Sequence, residues 1–304
     1  PFGLFGGMAF SPDGKLLAAG DGGVLAWEME SGLPLVVQEP TKPEQWRDVV
    51  FAKDGKSCYF SGQDGLFQSP LQTDAQGRTV AGPRKKILSG YASFMQWCGD
   101  TLAVSGRFND KRKPGVLLMK SDGGQRHLEA SINPDHLAAS PDGRWLVVTG
   151  YPNNGGTLWD LSQDPPPERH IATASRAAFG FTSDSKTLIA GTDSLVWFHD
   201  PQNPDIERAP VRSRRDCQTV PAYSCSSEAA GLTAVTTAPD EVTLFDTKTF
   251  RTILKLESPL TPFDSVLAFS PDGKKLAMAG GVSRVMLWDL EYIRQQLAGM
   301  GLDW

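Results

Sequence analysis

The chain has 304 residues and a formal net charge of −5. That length permits one or two domains and a core that hides about three quarters of the unfolded surface. The acidic balance argues against general nucleic-acid binding, and no run of 18 apolar residues offers a membrane span.

The opening segment, Pro1 to Gly7, lacks the basic stretch and long apolar core of a secretion signal. The sequence is therefore expected to be part of a longer protein. Next comes Phe-Ser-Pro-Asp-Gly-Lys at Phe10–Lys15, which returns intact at Phe269–Lys274. Between the two copies a turn of the same kind recurs at Asp54-Gly55, Gly99-Asp100, Asp142-Gly143 and Asp184-Ser185, with a degenerate form near Glu228. The six steps from Asp13 to Asp272 average about 43 residues, inside the range of propeller repeats. Asp and Gly tolerate the backbone of a tight hairpin, and the turn aspartates Asp13, Asp54, Asp142 and Asp272 are expected to cap backbone N–H groups.

Two further markers follow each turn in order. The first is a small residue with glycine, at Gly20, Gly62, Gly106, Gly150, Gly191 and Gly280, with Thr237 in the sixth copy. The second is an aromatic-polar pair, clear at Trp159-Asp160, Phe245-Asp246 and Trp288-Asp289. Eroded pairs stand at Trp27-Glu28, Phe67-Gln68, Met119-Lys120 and Phe198-His199. Between the markers, short apolar runs such as Leu16–Gly20, Trp145–Gly150 and Lys275–Gly280 read as buried strands. A sandwich or irregular all-β domain is the competing architecture; seven ordered copies of three markers favour the propeller.

Catalytic and metal signatures are sparse. Cys58, Cys98, Cys217 and Cys225 match no zinc spacing and read as small buried hydrophobes. His127, His136, His170 and His199 fall at different places in the repeat and are not expected to converge. There is no nucleophile elbow, phosphate loop or calcium loop. Neither enzyme activity, nor a metal, nor a cofactor is expected.

The hexapeptide, the small-Gly doublets and the Leu-Trp-Asp-Leu endings at Leu158–Leu161 and Leu287–Leu290 resemble those of WD-repeat β-propellers, over residues 8–290. The resemblance implies an all-β, seven-bladed ring over 1–290, with repeats starting near 7, 46, 91, 132, 175, 218 and 263. No Gly-His dipeptide precedes any repeat, so the family's His-Ser/Thr-Asp-Trp network does not carry over and stability is assigned to apolar packing. In the family the last blade borrows its outer strand from the N-terminal side. Too few residues precede Met8 for that, and blade seven is expected to show three strands here. The tail, 291–304, sets Ile293, Leu297 and Met300 on one face of a short helix, ended by Gly299 and Gly301, and is expected to pack on the ring. Its ending resembles WD-repeat proteins of bacteria rich in serine/threonine kinases.

The family's geometry maps one face. Its top loops would hold Arg107, Phe108, Lys111, Arg112 and Lys113 in one long basic loop spanning 107–114, and Arg212, Arg214 and Arg215 ahead of the sixth repeat. Arg47, Arg176 and Arg284 map to the same side, with Trp46, Tyr91, Tyr151 and Phe263. Arginine with aromatics is the usual composition of interface anchors. The expected function is a non-catalytic scaffold that binds a protein or peptide partner, acidic or phosphorylated, rather than nucleic acid. A regulatory propeller of a signalling protein such as a kinase and a propeller hydrolase are the alternatives. Unpaired cysteines favour a cytoplasmic setting.

Overall fold

The computed structural model describes residues 6–38, 46–108, 113–151, 155–173, 177–192, 195–212, 223–238, 240–258, 266–280 and 284–302. Within these, only the backbone is described for Trp46, Arg47, Lys113, Tyr151, 205–210 and Arg212, among others.

Each repeat folds into one antiparallel sheet, because apolar runs of four to eight residues alternate with hairpin turns. Blade 1 is Met8–Phe10, Leu16–Asp21, Gly23–Glu28 and Pro34–Gln38. Blade 2 is Trp46–Phe51, Ser57–Gly62, Gly65–Thr73 and Lys85–Ser89, with Thr79–Ala81 paired to the far end of its third strand. Blade 3 is Tyr91–Cys98, Thr101–Phe108, Lys113–Lys120 and Gln125–Glu129. Blade 4 is Asn133–Ala139, Trp145–Tyr151, Gly156–Asp160 and Glu168–Ile171. Blade 5 is Ala178–Phe181, Leu188–Gly191, Leu195–Asp200 and Asn203–Arg212. Blade 6 is Ser224–Ser227, Leu232–Ala238, Glu241–Asp246 and Thr252–Glu257. Blade 7 has three strands among the described residues, Val266–Phe269, Lys275–Gly280 and Arg284–Asp289.

The first strands of successive blades touch in order, and that of blade 7 touches that of blade 1, closing a ring of seven. The closing contact packs Met8, Leu17, Ala19, Ala277 and Ala279, flanked by Phe10, Trp27 and Val285. Large side chains likewise fill the space between other sheets, as Phe179, Phe181 and Leu188 do against Val147 and Leu158. Each such side chain contributes about 1.5–3 kcal/mol through burial.

The hexapeptide is a structural device. In blade 1, Ser11 N–H donates to Leu16 O at 2.9 Å and Gly14 N–H to Ser11 O at 2.9 Å. Asp13 accepts from the Ser11 hydroxyl at 2.7 Å and from Lys15 N–H at 3.1 Å. The same Ser/Thr–Asp bond recurs at Ser140–Asp142, Thr182–Asp184 and Ser270–Asp272, at 2.6–2.7 Å. In blade 2, where Ala52 replaces the serine, Asp54 keeps its bond from Lys56 N–H. Gly14 sits at φ 71°, a conformation that glycine adopts without the Cβ penalty. In blade 5 Ser185 holds the left-handed place at φ 61°, and its hydroxyl accepts from Asp142 N–H of the neighbouring hairpin at 3.0 Å. The hairpins thus interlock around one end of the ring.

The chain leaves blade 7 through a helix, Leu290–Gly299, with Asp289 as N-cap accepting from Tyr292 N–H at 2.9 Å. Leu290 is buried and Ile293 and Leu297 are half-buried. Met300 is 66 % exposed, so the expected packing face ends a turn early: Met300 closes the helix instead of continuing it. Among the described residues no helix is long and apolar enough to cross a membrane. Cys58 and Cys98 are buried thiols, pushed up to about 12 by desolvation. Cys225 packs at the blade 6–7 core, and Cys217 lies outside the described residues.

Candidate functional site: an upper rim and a central cavity

Strands alternate in direction, so the starts of first and third strands and the ends of second and fourth strands share one end of the ring. This upper end carries Trp46, Arg47 and Tyr91 at the start of first strands, and Lys113 and Arg284 at the start of third strands. Arg107, Phe108 and Tyr151 end second strands there, and Arg212 ends a fourth. Lys111, Arg112, Arg176, Arg214, Arg215 and Phe263 lie outside the described residues.

The rim differs from its sequence reading in two ways. The loop spanning 107–114 is shorter than expected, because Thr101–Phe108 and Lys113–Lys120 pair through Phe108 and Lys113. Only 109–112 is left to connect them. Phe108 is also not a surface aromatic. It is 5 % exposed and joins a core with Leu66, Ala92 and Val104, with its ring edge-on to His127. A strand extended by two residues turns its alternate side chain inward, which a loop does not. Arg107, its neighbour, is exposed and donates from Nε to Asn133 Oδ1 of blade 4 at 3.1 Å. Tyr91 is half-buried, its hydroxyl 3.4 Å from Ser93 Oγ. Arg284 is exposed.

The histidines are dispersed. His136 stands on an inner strand, His127 and His170 on outer strands, and His199 on a third strand. His199 Nδ1 bonds Pro204 O at 2.8 Å, a structural role. Among the described residues no three His, Cys, Asp or Glu side chains cluster closely enough to hold a metal ion.

A second feature sits on the ring axis. A cavity of about 420 Å³ is walled by residues of six blades, among them Gly7, Asp48, Phe94, His136, Tyr223 and Val266. Gly7, Asp48, His136, Ala178 and Val266 each stand three residues before the end of their inner strands. Met95 and Ser224 hold the same place in blades 3 and 6, so equivalent places in the seven repeats hold seven different residue types, and one of them is acidic. Asp48 is 5 % exposed. Its Oδ1 accepts from Val49 N–H at 2.8 Å and its Oδ2 from Met95 N–H at 2.6 Å, tying blade 2 to blade 3. Gly7 makes room for it, since a Cβ there would lie 1.5 Å from Asp48 Oδ1. Desolvation outweighs both backbone hydrogen bonds and raises the carboxyl to about 7. The His136 ring lies between Phe94 and Tyr223, with centroids at 5.6 and 5.5 Å. The repeat count alone did not single out Asp48. Aligning the repeats on the ends of their inner strands does, because Asp48 is the one carboxylate among Gly7, Met95, His136, Ala178, Ser224 and Val266.

No protein-family model matches this chain, and no curated protein matches it by sequence. Solved structures do. A chain from the crystal structure of a mitotic checkpoint complex superposes with a TM-score of 0.69 at 17 % identity, covering 93 % of this chain and 86 % of its own length. Hydrazine synthase of Kuenenia stuttgartiensis gives the same TM-score at 14 % identity, covering 95 % and 96 %. At these identities the likeness is one of fold, a WD-repeat-like propeller of seven blades. One neighbour comes from an assembly and the other from an enzyme, so fold alone names no activity.

Proposed function

We propose that the chain is a non-catalytic interaction platform that binds a protein or peptide partner on its upper rim. The observation that supports this is the gathering of arginines and aromatic residues from five repeats at one end of a closed ring. Loops held by paired strands lose little freedom on binding, which favours affinity. Arginines present planar forks suited to carboxylate or phosphate, so an acidic or phosphorylated peptide is the partner class. The similarity to a chain of a mitotic checkpoint complex adds weight to protein partners. A propeller that regulates a joined serine/threonine kinase is a narrower form of the same reading, carried by the likeness of the tail.

The test is an array of acidic, phosphorylated and neutral peptides probed with the chain and with a variant carrying Arg47→Glu, Arg107→Glu, Arg212→Glu and Arg284→Glu, all at the upper end of their strands. Selective capture of acidic or phosphorylated peptides, lost in the variant while its unfolding midpoint is kept, is the expected result. Equal capture by both proteins would overturn the rim as the binding face.

A further inference from the structure

We propose that the axial cavity is a binding site for one organic cation, a primary ammonium or guanidinium on a slim aliphatic stem, which enters from the hairpin end and pairs with Asp48. The proposal is independent of the upper rim, which lies at the other end of the ring.

Four observations carry it. The first is access. The cavity wall includes Pro12 and Lys53, both exposed and both at the hairpin end. The second is unused acceptor capacity. A carboxylate offers about four acceptor positions, and the two backbone N–H groups occupy two. The third is charge. Lys53, the lysine in the wall, reaches away to Asp100 at 2.7 Å and lies over the Trp97 ring, so Asp48 lacks a cationic partner within the described cavity wall. Burying a carboxyl without one is costly, and an incoming cation would relieve that cost. The fourth is the remaining wall. Phe94 and Tyr223 supply ring surface that attracts cations and apolar stems together. The volume suits a stem of four or five heavy atoms and leaves room for ordered water.

Burial raises the Asp48 carboxyl to about 7, so the cation selects its ionised form. Apparent affinity then scales with the ionised fraction. Between pH 6 and pH 8 it should rise about tenfold. The other titratable groups facing the cavity are His136, Tyr223 and Lys53. His136 losing a proton would act in the same direction, so the test must separate it from Asp48.

The experiment is calorimetric titration of the whole chain with n-butylammonium chloride, n-butylguanidinium chloride and uncharged 1-butanol at pH 6 and pH 8. The expected result is saturable binding of one or both cations, about tenfold tighter at pH 8, and none of 1-butanol. Asp48→Asn should abolish the pH dependence and weaken binding at least tenfold, whereas His136→Gln should keep the pH dependence. If Asp48→Asn fails to fold, the wild-type and His136→Gln profiles decide. No binding of either cation, binding of 1-butanol equal to that of the cations, a flat wild-type profile, or loss of the pH dependence in His136→Gln would each overturn the proposal.

Discussion

Leu158-Trp159-Asp160-Leu161 in blade 4 and Leu287-Trp288-Asp289-Leu290 in blade 7 are the same four residues at the same place in the repeat. In blade 4 the aspartate accepts both arms of Arg144, at 3.1 and 2.9 Å, and the hydroxyl and N–H of Ser162. The chain then turns back as a fourth strand, past three prolines, Pro165 to Pro167, that bar a helix. In blade 7 the aspartate caps a helix, and helix-favouring residues follow it from Glu291 to Leu297. The motif closes a third strand in both places; what comes after it decides whether the chain itself continues as a fourth strand or as a helix. The consequence for packing is large. Leu158 is 1 % exposed, and its counterpart Leu287 is 40 % exposed.

That difference sets the largest expected effect. Leu158→Ala should destabilise the ring by about 2–5 kcal/mol, since it empties a space walled on all sides. Leu287→Ala should cost about 1 kcal/mol or less, because much of the side chain already meets water. Denaturant midpoints of the two variants measure both. Equal shifts would mean that blade 7 is covered in solution as fully as blade 4.

The aspartates differ next. Removing Asp160 strands Arg144 and should cost about 1.5–3 kcal/mol; Asp289→Ala should cost about 0.5–2 kcal/mol, the loss of an N-cap. The second loss should appear as faster hydrogen exchange in 290–299 with little change in the ring. Acid sharpens the contrast. The Arg144 hydrogen bonds hold Asp160 well below the usual carboxylate range. Its contribution is therefore complete above the unfolded value, about 3.9, and is lost as pH falls below it. Asp48 has the opposite sign. Burial raises it to about 7, so the folded state holds its proton where the unfolded chain has lost it. Stability falls as pH rises from the ordinary aspartate value to about 7. Unfolding midpoints against pH should show a shallower acid limb in Asp160→Asn, with Asp13, Asp272 and Asp289 keeping the rest, and should lose the fall toward neutral pH in Asp48→Asn.

Much of this architecture was legible in the sequence, for a physical reason. Hairpin chemistry is local: Ser11, Asp13 and Gly14 satisfy one another within six residues, so the signal survives in a linear string. The buried character of the runs after each turn is likewise periodic and local. The site was less legible. Phe108 looked like a loop aromatic because strand ends are set by cross-strand pairing, here with Lys113, and not by the residue itself. The cavity depends on six segments far apart in the chain. Its signal is one acid at a register position where other repeats place Gly, Met, His, Ala, Ser or Val, visible only after the repeats are aligned by strand end.

The tail gives the smallest effect and the clearest check on how far blade 7 extends. Periodicity placed Met300 on the packing face with Ile293 and Leu297, yet it is largely exposed, as is Leu302. The helix is anchored at its start by Leu290, within the core that holds Leu276 and Met278, and by Lys274 Nζ to Glu291 at 2.7 Å. Its other end carries no comparable anchor among the described contacts of the core. Met300→Ser should therefore change stability by no more than about 0.5 kcal/mol, the range of ordinary surface substitutions. A loss several times larger, seen as a lowered denaturant midpoint, would mean that an apolar surface covers this end in solution. The contrast between a sealed blade 4 and an open blade 7 would then have to be withdrawn.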